Sequence, residues 1–288
     1  MEPPKILLGV LEAAERYLAG RGVDAPRLSA QLLLAKVLGV DRIQLYLQHD
    51  RPLGEAERGR YRELVARRAR HEPLAYLLGS WSFRGLELAV DPSVLIPRPE
   101  TEGLVDLALA HAPQGARCVD LGTGSGAIAL ALARERPDLR VTAIELSTRA
   151  LALARRNAER LGLTSVRFLQ GSWWQALGVD ERFELVVANP PYVDPARPDL
   201  IADDVRRYEP AEALFTPPGD PGAPYRAIAA GLARHLVPGG WCILETGVVT
   251  DQAALAALRA TPVLTDVEMR CDAAGLPRYL LGRRSAPA

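Results

Sequence analysis

Four consecutive residues, Asn189-Pro190-Pro191-Tyr192, form the clearest chemical pattern in this chain of 288 residues. They follow an apolar run, Phe183 to Ala188, of the kind found in a parallel strand buried on both faces. Two consecutive prolines cannot donate hydrogen bonds to a sheet, so the strand must end at Asn189. Ligands of open α/β sheets lie just beyond the carboxyl ends of the strands. The tetrapeptide is therefore predicted to lie in a functional site.

The atoms of this tetrapeptide predict recognition of a planar NH2 group, either a carboxamide or the exocyclic amine of adenine. Asn189 offers a side-chain carbonyl, and Pro190 offers a backbone carbonyl but no N–H, so both provide acceptors. Tyr192 adds a flat face for stacking and a hydroxyl group. We predict that Asn189, Pro190 and Tyr192 are catalytic and that all four residues, Pro191 included, bind the substrate. The alternative is a structural strand end with a turn asparagine.

A glycine loop, Gly122-Thr123-Gly124-Ser125-Gly126, follows the apolar run Cys118 to Leu121 and precedes an apolar helix. Glycines let a backbone turn tightly and approach a ligand, and the N-terminus of the following helix favours a negative group such as a carboxylate. Glu145 ends the next predicted strand, where an acid commonly binds ribose hydroxyls. We predict that the loop and Glu145 bind a nucleoside-containing cofactor. A nicotinamide enzyme is the competing interpretation, but it leaves the tetrapeptide unexplained.

Three further side chains are candidates for this site. Trp173 and Trp174 follow the third predicted strand, and either could flank an adenine ring or be a core aromatic. We take Trp173 as the cofactor contact, and Asn189 as a residue that contacts both cofactor and substrate. Arg98, which lies between two prolines, is a candidate substrate-binding residue, with a surface clamp as the alternative.

The elements that position these residues fall into three parts. Residues 1–73 show helical periodicity and predict a small all-helical N-terminal domain. Residues 74–98 contain an alternating pattern with a turn at Arg84-Gly85 and predict a β-hairpin linker. Residues 99–288 alternate strands with helices, which predicts the α/β class with a doubly wound, mostly parallel sheet.

Two segments of the third part carry separate predictions. The irregular stretch 193–224 is rich in proline and aspartate, and loops of that length are often functional. Arg278 to Leu281 is expected to form a final strand at the edge of the sheet.

Composition narrows the classes of function. Lys+Arg and Asp+Glu number 35 each, and a net charge of zero argues against a large nucleic-acid surface. Cys118, Cys242 and Cys271 have no CxxC spacing, so neither disulfides nor a metal site are expected. No signal peptide and no apolar run of membrane length is present. We expect a cytoplasmic protein without nucleic-acid or membrane partners, acting as a monomer.

The motifs together resemble those of class I methyltransferases that use S-adenosylmethionine: GTGSG after VDL, an acid ending the second strand, and NPPY ending the fourth. The stretches PLAYLLG, FRGLEL and VLIPRPETE, behind a helical N-terminal domain, closely resemble the PrmC/HemK family of peptide chain release factor N(5)-glutamine methyltransferases. The resemblance covers nearly the whole chain. That family more often has Asp where this chain has Glu145, and Glu also suits a ribose diol.

The resemblance implies methyl transfer from S-adenosylmethionine, with S-adenosylhomocysteine as product. The acceptor is the side-chain amide nitrogen of the glutamine in the Gly-Gly-Gln motif of class I release factors, and the modification modulates translation termination. Residues 1–73 are then expected to dock the protein substrate. Two other acceptors stay open: a glutamine of a ribosomal protein, and adenine N6 of DNA, which would be flipped onto Tyr192. A binding module with an inactive methyltransferase fold is the remaining alternative.

Overall fold

The computed structural model describes residues 6–197 and 200–286. The chain divides into two compact units, Met1–Ser80 and Trp81–Ala288. The prediction from sequence places the boundaries between its three parts after residues 73 and 98. Residues 1–5, 198–199 and 287–288 belong to the predicted first and third parts and lie outside the described residues.

The first unit is helical, as predicted. Its helices are α1 (Leu7–Ala19), α2 (Pro26–Leu38), α3 (Arg42–Leu47), α4 (Glu55–Arg68) and α5 (Leu74–Leu78). They enclose a core of their own that includes the fully buried Leu18 and Leu33. The buried Tyr61 hydroxyl donates a hydrogen bond of 2.9 Å to the carbonyl of Ala30, joining α4 to α2. Helix α5 lies in the stretch for which the sequence predicted only a hairpin linker.

The hairpin follows α5 and consists of β1 (Ser80–Phe83) and β2 (Leu86–Ala89). Arg84 and Gly85 both have positive φ angles, 47° and 72°, as a two-residue hairpin turn that follows the strand twist requires. Phe83, Leu86 and Leu88 are buried in the core of the second unit. The hairpin is therefore part of the packing of that unit.

The second unit contains a seven-stranded sheet with the order β5-β4-β3-β6-β7-β9-β8. Its strands are β3 (Arg117–Leu121), β4 (Arg140–Glu145), β5 (Arg167–Gln170), β6 (Phe183–Ala188), β7 (Leu236–Glu245), β8 (Leu264–Cys271) and β9 (Pro277–Arg284). The first five strands of that order run parallel, and β9 runs antiparallel to β7 and β8. The helices are α6 (Glu100–His111), α7 (Ala127–Glu135), α8 (Thr148–Leu161), α9 (Asp203–Tyr208), α10 (Ala211–Leu214), α11 (Ala223–His235) and α12 (Asp251–Arg259).

The central strands are apolar on both faces, which confirms the doubly wound prediction. Cys118 and Leu185 belong to a core on one face, and Val119 and Val186 belong to a core on the other. The strand order reverses between β3 and β6, and a crevice opens at such a switch point, at the carboxyl ends of the strands. The glycine loop and Asn189 follow these two strands.

The predicted edge strand is wrong in its position. β9 lies between β7 and β8, with Leu280 and Leu281 buried, and β8 forms the edge. The sequence prediction missed β8 because Leu264–Cys271 carries charged residues and is largely exposed, so it lacks an apolar strand pattern. The stretch 193–224 is also less irregular than expected, since it contains α9 and α10.

Candidate active site

A cavity of about 370 Å³ lies at the switch point of the sheet. It is lined by residues that the sequence had assigned to the cofactor, namely Gly122, Thr123, Gly124, Ser125, Glu145, Trp173 and Asn189. Arg98 and Pro191 also line it. The fold therefore brings the ends of β3, β4 and β6 together around one space.

The glycine loop has the backbone conformation that its residue types permit. Gly124 and Gly126 have φ angles of 57° and 87°, in the left-handed region that favours glycine. Gly126 is the N-cap of α7, and a Cβ at this position would lie 3.0 Å from the Cδ1 of Leu130. Gly126 thus allows the loop to pack closely on α7, while Gly124 faces the cavity.

Glu145, half-buried at the end of β4, holds the loop and faces the cavity. One carboxyl oxygen accepts a hydrogen bond of 2.8 Å from the Gly124 N–H, and the other accepts one of 2.9 Å from the Ser147 N–H. Burial raises the pKa of this carboxyl group, and the backbone N–H donors act against that rise. A carboxylate has about four acceptor positions, so lone pairs remain for two hydroxyl groups.

Asp120 supports the loop from beneath, a role that the sequence analysis did not assign. It is fully buried in β3, and its Oδ2 accepts a hydrogen bond of 2.6 Å from the Thr123 hydroxyl. Burial raises the pKa of this carboxyl group to about 7. An acid inside an apolar strand, directly before a glycine loop, was the signal available in the sequence.

The two tryptophans have different surroundings. Trp173 lines the cavity, and its φ angle of 49° is unusual for a residue with a side chain. Trp174 packs against α11: its indole N–H donates a hydrogen bond of 2.9 Å to the Ile228 carbonyl, and its ring stacks on His235. Trp173 is thus the tryptophan available to a ligand in this cavity.

A second cavity, of about 410 Å³, lies on the Tyr192 side of Asn189. Asn189 and Arg98 line both cavities, so they stand where the two spaces meet. The second cavity has aliphatic walls formed in part by Leu200, Ile201, Val205, Val248 and Val249. Burial raises the pKa of the Tyr192 phenol, which lines this second cavity, to about 12. Tyr192 therefore presents a neutral hydroxyl group at neutral pH.

The structure separates the members of the tetrapeptide. Pro191 lines the first cavity and Tyr192 the second, whereas Pro190 is buried and lines neither of the two. No described residue donates a hydrogen bond to the Pro190 carbonyl. The Asn189 Nδ2 donates a hydrogen bond of 3.2 Å to the Thr101 hydroxyl.

Arg98 is held by a buried acid that the sequence analysis did not identify. Its guanidinium lies 2.5 Å from a carboxyl oxygen of Glu209, whose side chain is only 1% exposed. The other carboxyl oxygen accepts a hydrogen bond of 3.0 Å from the Ile96 N–H. The pair ties the segment before α6 to the segment after α9, and both segments border the cavities.

Breaking this ion pair is expected to destabilise the fold. Arg98→Leu leaves the Glu209 carboxylate buried with one backbone donor, and removing one partner of a buried pair costs about 3 kcal/mol. Urea denaturation of Arg98→Leu should show this loss in the free energy of unfolding. The matched variant Arg226→Leu breaks an exposed pair with Asp220 and should cost at most about 1 kcal/mol. Equal losses in the two variants would contradict the structural role of the Arg98–Glu209 pair.

Glu245 is a second buried acid beside the tetrapeptide. It ends β7, is fully buried, and neither carboxyl oxygen has a hydrogen bond of normal geometry to the described residues. Burial raises the carboxyl pKa to about 7, although Thr101, Arg278 and Asn189 lie close enough to lower it. The sequence rule that identified Glu145, an acid at the end of an apolar strand, also applies to Glu245.

The raised pKa predicts a pH-dependent stability. Between the ordinary value of 4.5 and about 7, the unfolded chain loses this proton while the folded chain keeps it, so folding becomes less favourable as the pH rises. Glu245→Gln removes that titration. Relative to the unchanged protein, the variant should therefore gain roughly 3 kcal/mol in its free energy of unfolding when the pH is raised from 5 to 8. Urea denaturation at both pH values measures this gain, and a difference that does not vary with pH would contradict it.

Across residues 6–197 and 200–286, no cluster of three or more His, Cys, Asp and Glu side chains is arranged to hold a metal ion. None of the helices in the same ranges has both the length and the apolarity needed to cross a membrane. The two cavities are bordered by the glycine loop with Glu145, by the ring of Trp173 and by the side-chain amide of Asn189, which lies between them.

Comparison with known proteins places this arrangement in a family. Residues 9–79 match the family described as PrmC N-terminal domain, and residues 103–205 match the methyltransferase small domain. A methyltransferase of known structure from Pyrococcus furiosus has the same fold, with a TM-score of 0.50 and 18% identity, over 71% of this chain and 91% of that one.

Curated relatives match over almost the entire chain. The release factor glutamine methyltransferase of Geobacter sulfurreducens is 43% identical over 285 residues, which cover 98% of this chain and 99% of that protein. The protein of the same name from Burkholderia pseudomallei is 47% identical over 278 residues, covering 94% of this chain and 95% of the relative. Both the helical and the methyltransferase parts are thus included, and this chain belongs to the family of release factor glutamine methyltransferases.

Proposed function

We propose that this protein transfers a methyl group from S-adenosylmethionine to the side-chain amide nitrogen of the glutamine in the Gly-Gly-Gln motif of class I release factors. The observation that carries the proposal is the position of Asn189. It stands where two cavities meet. Its Nδ2 donates a hydrogen bond to the Thr101 hydroxyl, so its Oδ1 remains available to a ligand. An acceptor at that junction suits an amide NH2 that must meet a methyl donor.

The first cavity fits the cofactor. Backbone N–H groups of the glycine loop, at the start of α7, suit the methionine carboxylate. The free acceptor positions of Glu145 suit the two ribose hydroxyls, and Trp173 offers a face to the adenine ring. When bound, the cofactor supplies a methyl group on a positively charged sulfur.

The residues of the tetrapeptide would make the substrate nitrogen reactive. An amide nitrogen is a poor nucleophile because its lone pair is delocalised into the carbonyl. Asn189 Oδ1 would accept one N–H, and the Pro190 carbonyl, which lines neither cavity in this structure, would have to turn toward the substrate to accept the other. Together they would hold the nitrogen about 3–3.5 Å from the methyl carbon and stabilise the positive charge that develops on the nitrogen. The nitrogen would bond to the methyl carbon as the bond from that carbon to the cofactor sulfur breaks, S-adenosylhomocysteine would leave, and water would accept the proton from the nitrogen.

The choice of a release factor rests on the relatives, which carry that substrate in their names. A glutamine preceded by two glycines suits the site, since glycine lets a loop extend into a narrow space without clashes. Adenine in DNA first has to be unstacked, at a cost of a few kcal/mol. The chain's net charge of zero provides no general attraction to DNA. We further propose that the enzyme is cytoplasmic, acts as a monomer and modulates translation termination.

The helical first unit is proposed to dock the protein substrate. It has its own core, and helix α3 carries large apolar side chains that are open to solvent: Ile43 is 69% exposed, Tyr46 51% and Leu47 75%. Side chains at spacings of three and four residues lie on one face of a helix. Such an apolar face on a small domain is typical of a protein-binding surface.

Glu145 should be required for cofactor affinity. Glu145→Ala removes the acceptor for the ribose hydroxyls and for the Gly124 N–H, so binding of S-adenosylhomocysteine should weaken by about 1–3 kcal/mol in calorimetry. The control Glu212→Ala removes an exposed acid from the wall of the same cavity and should change the affinity far less. Tight binding of NAD, with none of S-adenosylhomocysteine, would contradict the assigned cofactor.

The substrate class can be tested by competition. Labelled S-adenosylmethionine is incubated with the enzyme and equal amounts of a class I release factor, a large-subunit ribosomal protein and duplex DNA. We expect label on the release factor alone. Label on the ribosomal protein or on DNA would keep the fold and the cofactor but replace the substrate, and tight cofactor binding without any transfer would indicate a binding module.

A further inference from the structure

The side-chain amide of Asn189 must adopt one of two orientations. Its oxygen and nitrogen are nearly identical in shape but opposite in hydrogen bonding, since one accepts and the other donates. The proposed reaction needs the oxygen to face the substrate NH2. Hydrogen-bond partners on the side of the amide away from the substrate therefore have to bind its nitrogen in preference to its oxygen.

Thr101 is the direct partner of the amide and cannot select its orientation alone. It lies in the first turn of α6, is 4% exposed, and its hydroxyl is 3.2 Å from Asn189 Nδ2. A hydroxyl group can donate as well as accept, so it would satisfy either end of an amide. The direction is fixed only when another group accepts a hydrogen bond from the threonine hydroxyl.

Glu245 is the group in position to accept that hydrogen bond. β6 and β7 pair in parallel with Ala188 opposite Leu244, so Asn189 and Glu245 follow at adjacent strand ends. The Glu245 backbone carbonyl accepts a hydrogen bond of 3.1 Å from the buried Tyr225 hydroxyl, which anchors this strand end. Its side chain is fully buried and otherwise unpaired among the described residues, with Thr101 and Asn189 beside it.

Above about pH 7 Glu245 is a carboxylate, which only accepts hydrogen bonds, so it fixes the direction of the bonds around it. It accepts a hydrogen bond from the Thr101 hydroxyl, which leaves the threonine oxygen to accept a hydrogen bond from Asn189. The carboxylate also attracts the NH2 end of the Asn189 amide and repels the amide oxygen. Both effects turn Nδ2 inward and Oδ1 toward the cavities.

We propose that Glu245 and Thr101 are positioning residues that fix the amide orientation of Asn189, so that Oδ1 faces the substrate amide. The proposal rests on the proposed function and deepens it. Neither residue contacts substrate; both act through Asn189. Glu245 is not among the residues that line the two cavities, while Thr101 lines the first.

Turnover provides the first test. Thr101→Val keeps the side-chain shape without the hydroxyl, and Glu245→Met keeps the approximate length without the acceptor. Each is expected to lower kcat about tenfold, and Glu245→Met, whose residue lines neither cavity, should leave the affinity for S-adenosylhomocysteine unchanged. Thr101→Ser restores the hydroxyl and should retain most of the turnover. Thr261→Val removes a buried hydroxyl at the end of α12 and serves as the matched control, with kcat unchanged.

A double-mutant cycle separates positioning from a structural effect. In the Asn189→Ala background, Thr101→Val should cause no further loss, because its effect passes through the missing amide. A further tenfold loss there would overturn the proposal. A Thr101→Ser variant as impaired as Thr101→Val would overturn it as well.

A readout that needs no substrate separates this proposal from the proposed function. The Asn189 side-chain amide protons can be assigned in NMR spectra by their absence in Asn189→Ala. Their exchange with water should be slow in the unchanged protein and at least several-fold faster in both Thr101→Val and Glu245→Met. Unchanged exchange would overturn the positioning role even if release factor is methylated. Faster exchange supports the role even if the methyl acceptor proves to be another molecule.

Discussion

Asn189→Ala is expected to lower kcat about 10²–10³-fold, while the affinity for S-adenosylhomocysteine falls much less. The variant removes one of two proposed acceptors that hold the substrate NH2 and stabilise the charge developing on nitrogen. Losing one donor of an oxyanion hole, where donors stabilise a negative charge, costs a comparable amount of about 2.7–4 kcal/mol. Here acceptors would stabilise a positive charge. Single-turnover assays of release factor methylation, with calorimetry for cofactor binding, measure the two effects separately.

The control for this prediction removes an amide elsewhere. Gln175→Ala truncates an exposed amide that lines neither cavity, and it should keep its full turnover. If Asn189→Ala were to retain near-normal kcat, the tetrapeptide would not bind the reacting amide. If it instead lost cofactor affinity as strongly as turnover, Asn189 would serve mainly the first cavity.

Removing residues 1–80 should lower kcat/KM for the release factor about 100-fold or more, with cofactor binding preserved. The remaining unit keeps its two cores and both cavities. A docking surface that supplies even one strong contact contributes 2 kcal/mol or more, and several contribute a larger amount. The cut has to precede Trp81, because Phe83, Leu86 and Leu88 of the hairpin are part of the second unit's core.

A short peptide distinguishes docking from damage to the site. The shortened enzyme should methylate a Gly-Gly-Gln peptide as well as the full chain does, since the peptide has no surface for the first unit. In the full chain, the double variant Ile43→Ser/Leu47→Ser should reproduce most of the loss on release factor. Val179→Ser, an exposed apolar residue of the second unit, is its control. Full activity of the shortened enzyme on release factor would contradict a docking role.

Much of the fold could be predicted because local patterns agree with it. The apolar run before Asn189 and the glycine loop after Leu121 each reveal a strand end, and parallel strands bring such ends to one edge. β8 could not be predicted this way, since its exposed, charged residues show no apolar strand pattern. β9 was therefore assigned to the edge, although its buried Leu280 and Leu281 are typical of an inner strand.

Two supporting pairs of the site, Arg98 with Glu209 and Asn189 with Thr101, could not be predicted from sequence, and the reason is distance along the chain. Glu209 lies 111 residues from Arg98, and Thr101 lies 88 residues from Asn189. No local spacing links such partners, and only the packing of α6 against the strand ends makes them neighbours. The sequence provides no criterion for choosing between Trp173 and Trp174 as the cofactor contact, because the backbone of the turn sets the direction in which each side chain points.

The central claim is that the methyl group goes to one glutamine nitrogen, and tandem mass spectrometry tests it most directly. A class I release factor is incubated with the enzyme and S-adenosylmethionine, digested and sequenced, with an enzyme-free sample beside it. We predict one added methyl group on the side chain of the glutamine in Gly-Gly-Gln, and none on other residues. An unmodified glutamine, with the methyl group on another residue or another molecule, would contradict the account.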